Sequence, residues 1–181
     1  DTALAIRKLQ HEHRIGTAWV IDVDAHKGDG TASIFSDDAS TTTLSVHMAH
    51  GWPLDRPERM PDGSTHPSFI SSDIDVPIDS GDESAYVSAL EASLDKLATY
   101  PQPDIAVVLL GADPYEHDAL PSTAPLQLSL EQLSARDALI YDFLETTGVP
   151  QAYLMAGGYG ERAWEPYPPF LESVILRRLS T

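Results

Sequence analysis

The 181-residue chain carries 28 acids against 11 lysines and arginines, no cysteine and a hydrophobic content of 42%. That content supports a packed core and argues against wholesale disorder, and the missing cysteines exclude a disulfide scaffold, an iron–sulfur cluster and any thiolate zinc site. A net charge of −17 leaves no basic patch to release counterions, so no direct nucleic-acid partner is expected. No apolar run reaches the roughly 18 residues of a membrane span.

An opening helix is predicted over Leu4–Arg14, with Ala5, Ile6 and Leu9 on one side. Strands follow at Ala18–Val23 (AWVIDV) and Thr43–His47 (TLSVH). The Pro- and Asp-rich stretch from Trp52 to Ser84 reads as an ordered, irregular region. It carries a weaker strand at Ile74–Ile78, whose Pro77 suits an edge. Tyr86, Leu90, Leu94 and Leu97 stand at helical spacing within Ala85–Thr99, ahead of a strand at Ile105–Leu110 (IAVVLL). Ser129 with Gln132 forms a capping-box signature. The helix it opens carries Leu133, Leu139, Ile140, Phe143 and Leu144 and ends at Gly148, before Pro150. A strand at Ala152–Ala156 (AYLMA) precedes a last helix, started by Pro169 and running through Leu171, Val174, Ile175 and Leu179. Strands so continuously apolar are expected to be covered on both faces, as in parallel sheets. The strand–helix alternation predicts an α/β fold with a mostly parallel, doubly wound sheet. A chain that opens in mid-helix before a buried strand is expected to be cut from something longer.

Ligands of open α/β sheets bind beyond the carboxyl ends of the strands, and three polar clusters fall there. After AWVI come Asp22-Val23-Asp24-Ala25-His26-Lys27-Gly28-Asp29-Gly30. In extended chain Asp24 and His26 face the same way and can reach one ion. Gly111-Ala112-Asp113 follows IAVVLL, and Gly157-Gly158-Tyr159-Gly160 follows AYLMA. Each cluster alone has an ordinary explanation: a strand-end Asp caps a helix, a Gly-Gly pair makes a turn, a lone His hydrogen-bonds. Together, an Asp–His–Asp set with an open fourth position suits a catalytic Zn²⁺, and a nearby tyrosine suits an oxyanion donor.

IDVDAHKGDGT, TLSVH, LLGADPYEHD and MAGGYG, in that chain order, resemble the histone deacetylase family. This group includes acetylpolyamine amidohydrolases and acetoin-utilisation proteins and is distantly similar to arginases. The resemblance runs from about Asp1 into the last helix. It implies the three-layer arginase/deacetylase sheet, one Zn²⁺ per site, and hydrolysis of an acetylated small amine or an acetyl-lysine peptide. Position by position, it implies Asp24 and His26 as the first two zinc ligands, Asp113 as the third, and Tyr159 as the oxyanion tyrosine. Asp22 matches the aspartate that orients an active-site histidine and helps hold a structural monovalent cation such as K⁺, with Ser45 and Val46 as further contributors. Trp52 falls where the family places an aromatic beside the acyl channel, and Gly157 and Gly158 border the substrate.

Two departures stand out. Lys27 replaces the second histidine of the family's usual HH and is expected at the pocket rim or in solvent. The family's paired active-site histidines, one of them the general base, have no counterpart among His11, His13, His26, His47, His50, His66 and His117. The resemblance places that pair upstream, which implies that residues 1–181 are the C-terminal portion of a single domain whose first strands lie elsewhere, leaving buried surface open. Without a positioned base, water loses about 10²–10⁴-fold of acid–base assistance, so the isolated chain is expected to be inactive.

Rival readings explain less. A two-manganese ureohydrolase needs an acid where Gly28 stands. A phosphatase built on Asp22 and Asp24 leaves His26, Asp113 and Tyr159 without roles. A deacetylase-like binding module gains from the missing histidines but not from the intact Asp–His–Asp–Tyr set. His47 and His50 are expected at a strand end and in a loop, His11 and His13 in solvent, Asp29-Gly30 in a turn, and Glu116 and Asp118 as caps or solvated acids. DTALAIRKLQ lacks the basic-then-apolar pattern of a secretory signal, so a cytoplasmic location is expected. Residues 51–120 hold 14 acids and 3 bases. That excess suits attraction of a cationic substrate as well as solubility.

Overall fold

The computed structural model describes residues 1–179. Five strands, β1 (Ala18–Asp22), β2 (Thr41–Met48), β3 (Ile74–Ile78), β4 (Ile105–Leu110) and β5 (Gln151–Met155), form one sheet in the order β3-β2-β1-β4-β5. Every pairing is parallel. The chain winds outward from β1 to β2 and β3, then returns to β1's other side for β4 and β5. The reversal of winding therefore lies between β1 and β4, where Asp22 stands opposite Leu109. In doubly wound sheets that junction is the binding crevice.

Among the described residues five α-helices flank the sheet, besides three short 3-10 turns: α1 (Thr2–His11), α2 (Asp29–Phe35), α3 (Tyr86–Leu97), α4 (Leu130–Thr147) and α5 (Tyr167–Leu179). Alternation along β1 sorts its side chains between two layers. Trp19 and Ile21 pack into the larger core with Leu90 and Leu94 of α3, Leu133, Ile140 and Leu144 of α4, and Phe170 of α5. Ala18 and Val20 pack instead with Ala3 and Ile6 of α1 and Phe35 of α2. The result is the three-layer α/β architecture expected.

Local chemistry sets the boundaries. At α4 the Ser129 hydroxyl accepts from the Gln132 N–H (3.2 Å), while the Gln132 side chain accepts from the Ser129 N–H (3.0 Å), so both halves of the capping box form. Gly148 ends the helix at φ 69, where a side chain would be strained. α5 starts at Tyr167 rather than Pro169, because proline is tolerated in a first turn whose N–H groups have no helical partner. α1 ends at His11, short of Arg14, where the chain turns through His13 at φ 54.

β3 is an edge strand, as Pro77 suggested. At the opposite edge, β5 departs from the expectation of strands covered on both faces: Leu154 and Met155 are 42% and 79% exposed. The α1–α2 layer closes on Ala18, Val20 and Val107, and Leu154 lies outside that cluster. No described helix is long and apolar enough to cross a membrane.

Candidate active site

Asp24 and His26 follow β1, and Asp113 follows β4, so the two segments face each other across the reversal of winding. Their ligand atoms all lie within 4.8 Å of one another, and no other such set of three His, Asp or Glu occurs among the described residues. His26 Nδ1 is 3.1 Å from Asp24 Oδ1 and 3.1 Å from Asp113 Oδ2. On the far side of the ring, Nε2 meets the Ser122 hydroxyl at 3.2 Å. Trp52 stands edge-on to the imidazole, 5.4 Å between centroids, and is itself half exposed.

Backbone groups hold the two carboxylates. Asp24 accepts from the N–H of His26 (3.0 Å) and of Gly157 (2.8 Å), and Asp113 accepts from the N–H of Ala25 (3.0 Å). Gly157 comes this close because it has no side chain: a Cβ there would sit 2.4 Å from Asp113 Oδ2 and 2.4 Å from Asp24 Oδ2. Gly111 allows the same approach from β4, where a Cβ would lie 2.6 Å from the Asp24 Cα.

The electrostatics follow from this crowding. Asp113 and then Asp24 hold the proton on His26, whose pKa is pushed up to about 9. Burial works to raise Asp24, but hydrogen bonds from His26 and Gly157 overcome it and leave the carboxyl below its usual range. Asp113 is fully buried, and its burial, with Asp24's charge, lifts it above that range. Asp113 Oδ2 is close to His26 without an aligned hydrogen bond, so charge rather than direction holds that contact. Two carboxylates and one imidazole nitrogen converging on one point, with one carboxylate oxygen lacking an aligned partner, fit a divalent cation such as Zn²⁺.

The other predicted residues fall around this cluster. Asp22 is buried at the end of β1, accepts from the Asp24 N–H (3.1 Å), and is raised to about 8 by burial and then by Asp24. Ser45 lies beside it in register. The Ser45 hydroxyl accepts from the Gly28 N–H (3.2 Å) and meets His47 Nδ1 at 3.0 Å. Val46 is fully buried. Gly158 follows Gly157 at φ 152 and packs against Ala112. Tyr159 is 45% exposed on the segment that follows β5. Its phenol is raised above the ordinary tyrosine value by burial and by Asp113 and Asp24, which keeps it protonated.

Two expectations need correction. Lys27 is neither at a rim nor in solvent: it is buried, and its ammonium lies 2.9 Å from Asp75 of β3. Asp29-Gly30 is not a free turn but the start of α2, where Asp29 accepts from the Ser68 hydroxyl at 2.8 Å. His47 and His50 stand as expected, His47 buried near the end of β2 and His50 exposed in the loop that follows, beside Asp79.

Sequence reasoning passed over Arg136. It is fully buried, and its Nη1 donates to the carbonyls of Val23 (3.1 Å) and Gly111 (2.8 Å), just ahead of Asp24 and Asp113. Its Nε donates to Asp137 at 2.7 Å. The signal was present: Arg136 and Asp137 interrupt the stripe Leu133, Ile140, Leu144 on the buried face of α4.

Fold and site together define an α/β protein with a candidate divalent-metal centre at the switch point of a parallel sheet. The Histone deacetylase domain profile matches residues 1–166, and the chain belongs to the histone deacetylase family. It is similar to an uncharacterized protein of Picosynechococcus sp., 28% identical over 162 residues, covering 89% of this chain and 49% of that one. It is also similar to the acetoin utilization protein AcuC of Bacillus subtilis, 26% identical over 121 residues, or 66% of this chain and 31% of that one. Among solved structures, acetylpolyamine aminohydrolase from Burkholderia pseudomallei superposes with a TM-score of 0.69 at 21% identity, over 89% of this chain and 45% of that one. The chain thus spans less than half the length of each of these relatives.

Proposed function

We propose that this chain supplies the metal-binding and oxyanion-binding part of a zinc-dependent deacetylase, which hydrolyses an acetylated amine to acetate and free amine. The observation that carries the reading is the convergence of Asp24, His26 and Asp113 at the β1–β4 junction, with Tyr159 two residues beyond the glycine that presses on both carboxylates. When bound, Zn²⁺ supplies Lewis-acid polarisation of the acetamide carbonyl and a lowered pKa for water. Asp24, His26 and Asp113 hold the ion. The Ser122 hydroxyl on Nε2 leaves Nδ1 facing the two carboxylates, with which it would hold the ion. Tyr159, kept protonated by its surroundings, donates to the oxyanion as the water oxygen bonds to the carbonyl carbon. The C–N bond then breaks, and the amine leaves with a proton. Trp52 walls the channel, and Gly157 and Gly158 border the acyl group.

The general base is assigned to a histidine outside these 181 residues, which we read as the C-terminal portion of one deacetylase domain. The 31–49% shares of the relatives' lengths support that assignment. On this reading the chain by itself is inactive, and the exposed Leu154 and Met155 are covered by the remainder of the domain. A single metal is favoured over a two-manganese centre because even a Cβ at Gly28 would lie 2.6 Å from Asp22 Oδ2, leaving no room for a further acid. Asp22, Ser45 and Val46 form the proposed K⁺ site. The absence of a His-His pair favours one second reading, a deacetylase-like binding module. The substrate we favour is an acetylated small amine, in keeping with the acidic balance of residues 51–120, and then an acetyl-lysine peptide.

The test compares the intact protein with Tyr159→Phe and Asp113→Ala on acetylpolyamine and acetyl-lysine substrates. Loss of activity in both variants is expected. Equal turnover by all three would refute the reading.

A further inference from the structure

Tyr159 is half exposed, so packing alone does not place its ring; its backbone is what the fold grips. The Tyr159 N–H donates to Asp118 Oδ2 at 2.6 Å, and the Tyr159 carbonyl accepts from the Ala119 N–H at 3.1 Å. The other Asp118 oxygen closes its own loop, accepting from the Leu120 N–H (2.8 Å) and the Thr123 hydroxyl (3.4 Å). Gly160 makes the approach possible, since a Cβ there would lie 2.6 Å from the Ala119 Cβ. The gripping loop is itself anchored. Its Tyr115 ring is buried, its Glu116 N–H donates to the Leu128 carbonyl (2.9 Å), and it begins at Asp113 and carries Ser122.

One loop therefore holds the Asp113 carboxylate, the far side of the His26 ring and the backbone of Tyr159. We propose that Asp118 is the positioning residue for Tyr159. Its carboxylate clasps the tyrosine's backbone to the loop that starts at Asp113, which sets the distance between the phenol and the Asp24–His26–Asp113 cluster. A charge-assisted bond of this length is the strong kind, and each of its two oxygens has a separate task. This inference rests on the deacetylase reading for its kinetic consequence but not for its structural one.

Asp118→Asn separates the two tasks. The amide oxygen can still close the turn at Leu120, while the amide nitrogen, a donor, is left facing the Tyr159 N–H. In the intact, zinc-loaded protein, Asp118→Asn is expected to lower kcat by about 10²-fold, the scale of a small misplacement of a reacting group. KM, zinc affinity by chelator competition and thermal midpoint should stay close to wild type. In a Tyr159→Phe background the same substitution should cost little more, because the donor it positions is already gone. Exchange of the Tyr159 amide hydrogen, read by NMR or mass spectrometry, should accelerate in Asp118→Asn. Full multiplicative loss in the double variant, or wild-type kcat in Asp118→Asn, overturns the positioning role. Unchanged amide exchange overturns the clasp, including in the case where Tyr159→Phe proves fully active and the deacetylase reading itself fails.

Discussion

Replacing Arg136 by methionine removes a guanidinium buried behind the candidate metal centre. The guanidinium is fully buried and gives hydrogen bonds to the Val23 carbonyl, the Gly111 carbonyl and the Asp137 carboxylate. Arg136→Met fills much of the volume but strands two carbonyls and one carboxylate. Breaking a buried pair from one side costs about 3–5 kcal/mol. Domains of this kind hold about 5–15 kcal/mol in all, so the variant should fold but unfold roughly 2 M earlier in urea at an m-value of about 2 kcal/mol/M. Burial already pushes the Asp137 carboxyl above its ordinary value against the pull of Arg136. Once alone it takes up a proton, so the deficit should be smaller in mild acid and grow toward neutral pH.

The double variant Arg136→Met/Asp137→Leu distinguishes an ordinary ion pair from a brace. If the pair were all that mattered, removing both charges would restore most of the stability. Two carbonyls would still lack a donor, each worth about 1–3 kcal/mol, so only partial recovery is expected. Because those carbonyls immediately precede Asp24 and stand two residues before Asp113, zinc affinity should fall about 10–100-fold in both variants, as for other outer partners of metal ligands. Urea melts and chelator competition read the two quantities. A single variant within about 0.5 kcal/mol of wild type, where ordinary surface changes lie, would refute the reasoning.

Gly157→Ala places a methyl 2.4 Å from both carboxylate oxygens. It should lower zinc affinity by about tenfold or more while the far-ultraviolet circular dichroism is retained, and equal affinity would sink the close-approach argument. Burial pushes His47 down to about 4 from an ordinary 6.5. The unfolded chain therefore binds the proton more readily, and stability present above the ordinary value is lost as pH falls toward the folded one. That term is on the order of 3 kcal/mol. His47→Gln should flatten the urea stability profile over the same window, and an unchanged slope would count against it. If the 14 acids of residues 51–120 attract substrate, kcat/KM for an acetylated polyamine should fall severalfold with added salt while a neutral acetamide is unaffected. Parallel salt responses would leave solubility as the role of that charge.

What could be read in the sequence was whatever its neighbours in the chain decide. The strands, the capping box at Ser129 and the stop at Gly148 are short-range signals, and each stands where expected. The parallel, doubly wound character of the sheet followed from the strand–helix alternation, while its order β3-β2-β1-β4-β5 did not. α2 was missed because its seven residues bury only Ala32 and Phe35, too little apolar periodicity to register, and begin with Asp-Gly, a turn-forming pair. Lys27 looked solvated because its partner, Asp75, is 48 residues away on β3. Asp118 looked like a cap or a solvated acid; one oxygen closes a local turn with the Leu120 N–H, and the other reaches Tyr159, 41 residues on, which no local pattern announces. Arg136 differs, since a charged pair interrupting an apolar helical stripe asks for buried acceptors, and the sequence did show that much.

The long-range contacts share a form that bears on how the centre works. The segment after β1 gives the Ala25 N–H to Asp113, which follows β4. The segment after β4 gives the Ala112 N–H to the Gly157 carbonyl, beyond β5, at 2.6 Å. The segment after β5 returns the Gly157 N–H to Asp24, beyond β1. Three neighbouring strand ends thus close a ring in which each carboxylate is oriented by backbone from a different strand. Backbone donors set by sheet register have little freedom to lose, so two mutually repelling carboxylates are held ready without a long side chain being ordered for the purpose. On the metal-centre reading we propose, affinity for a cation is then a property of how β1, β4 and β5 pack. Substitutions under the sheet, Arg136 foremost, should reach the centre as surely as changes to the ligands themselves.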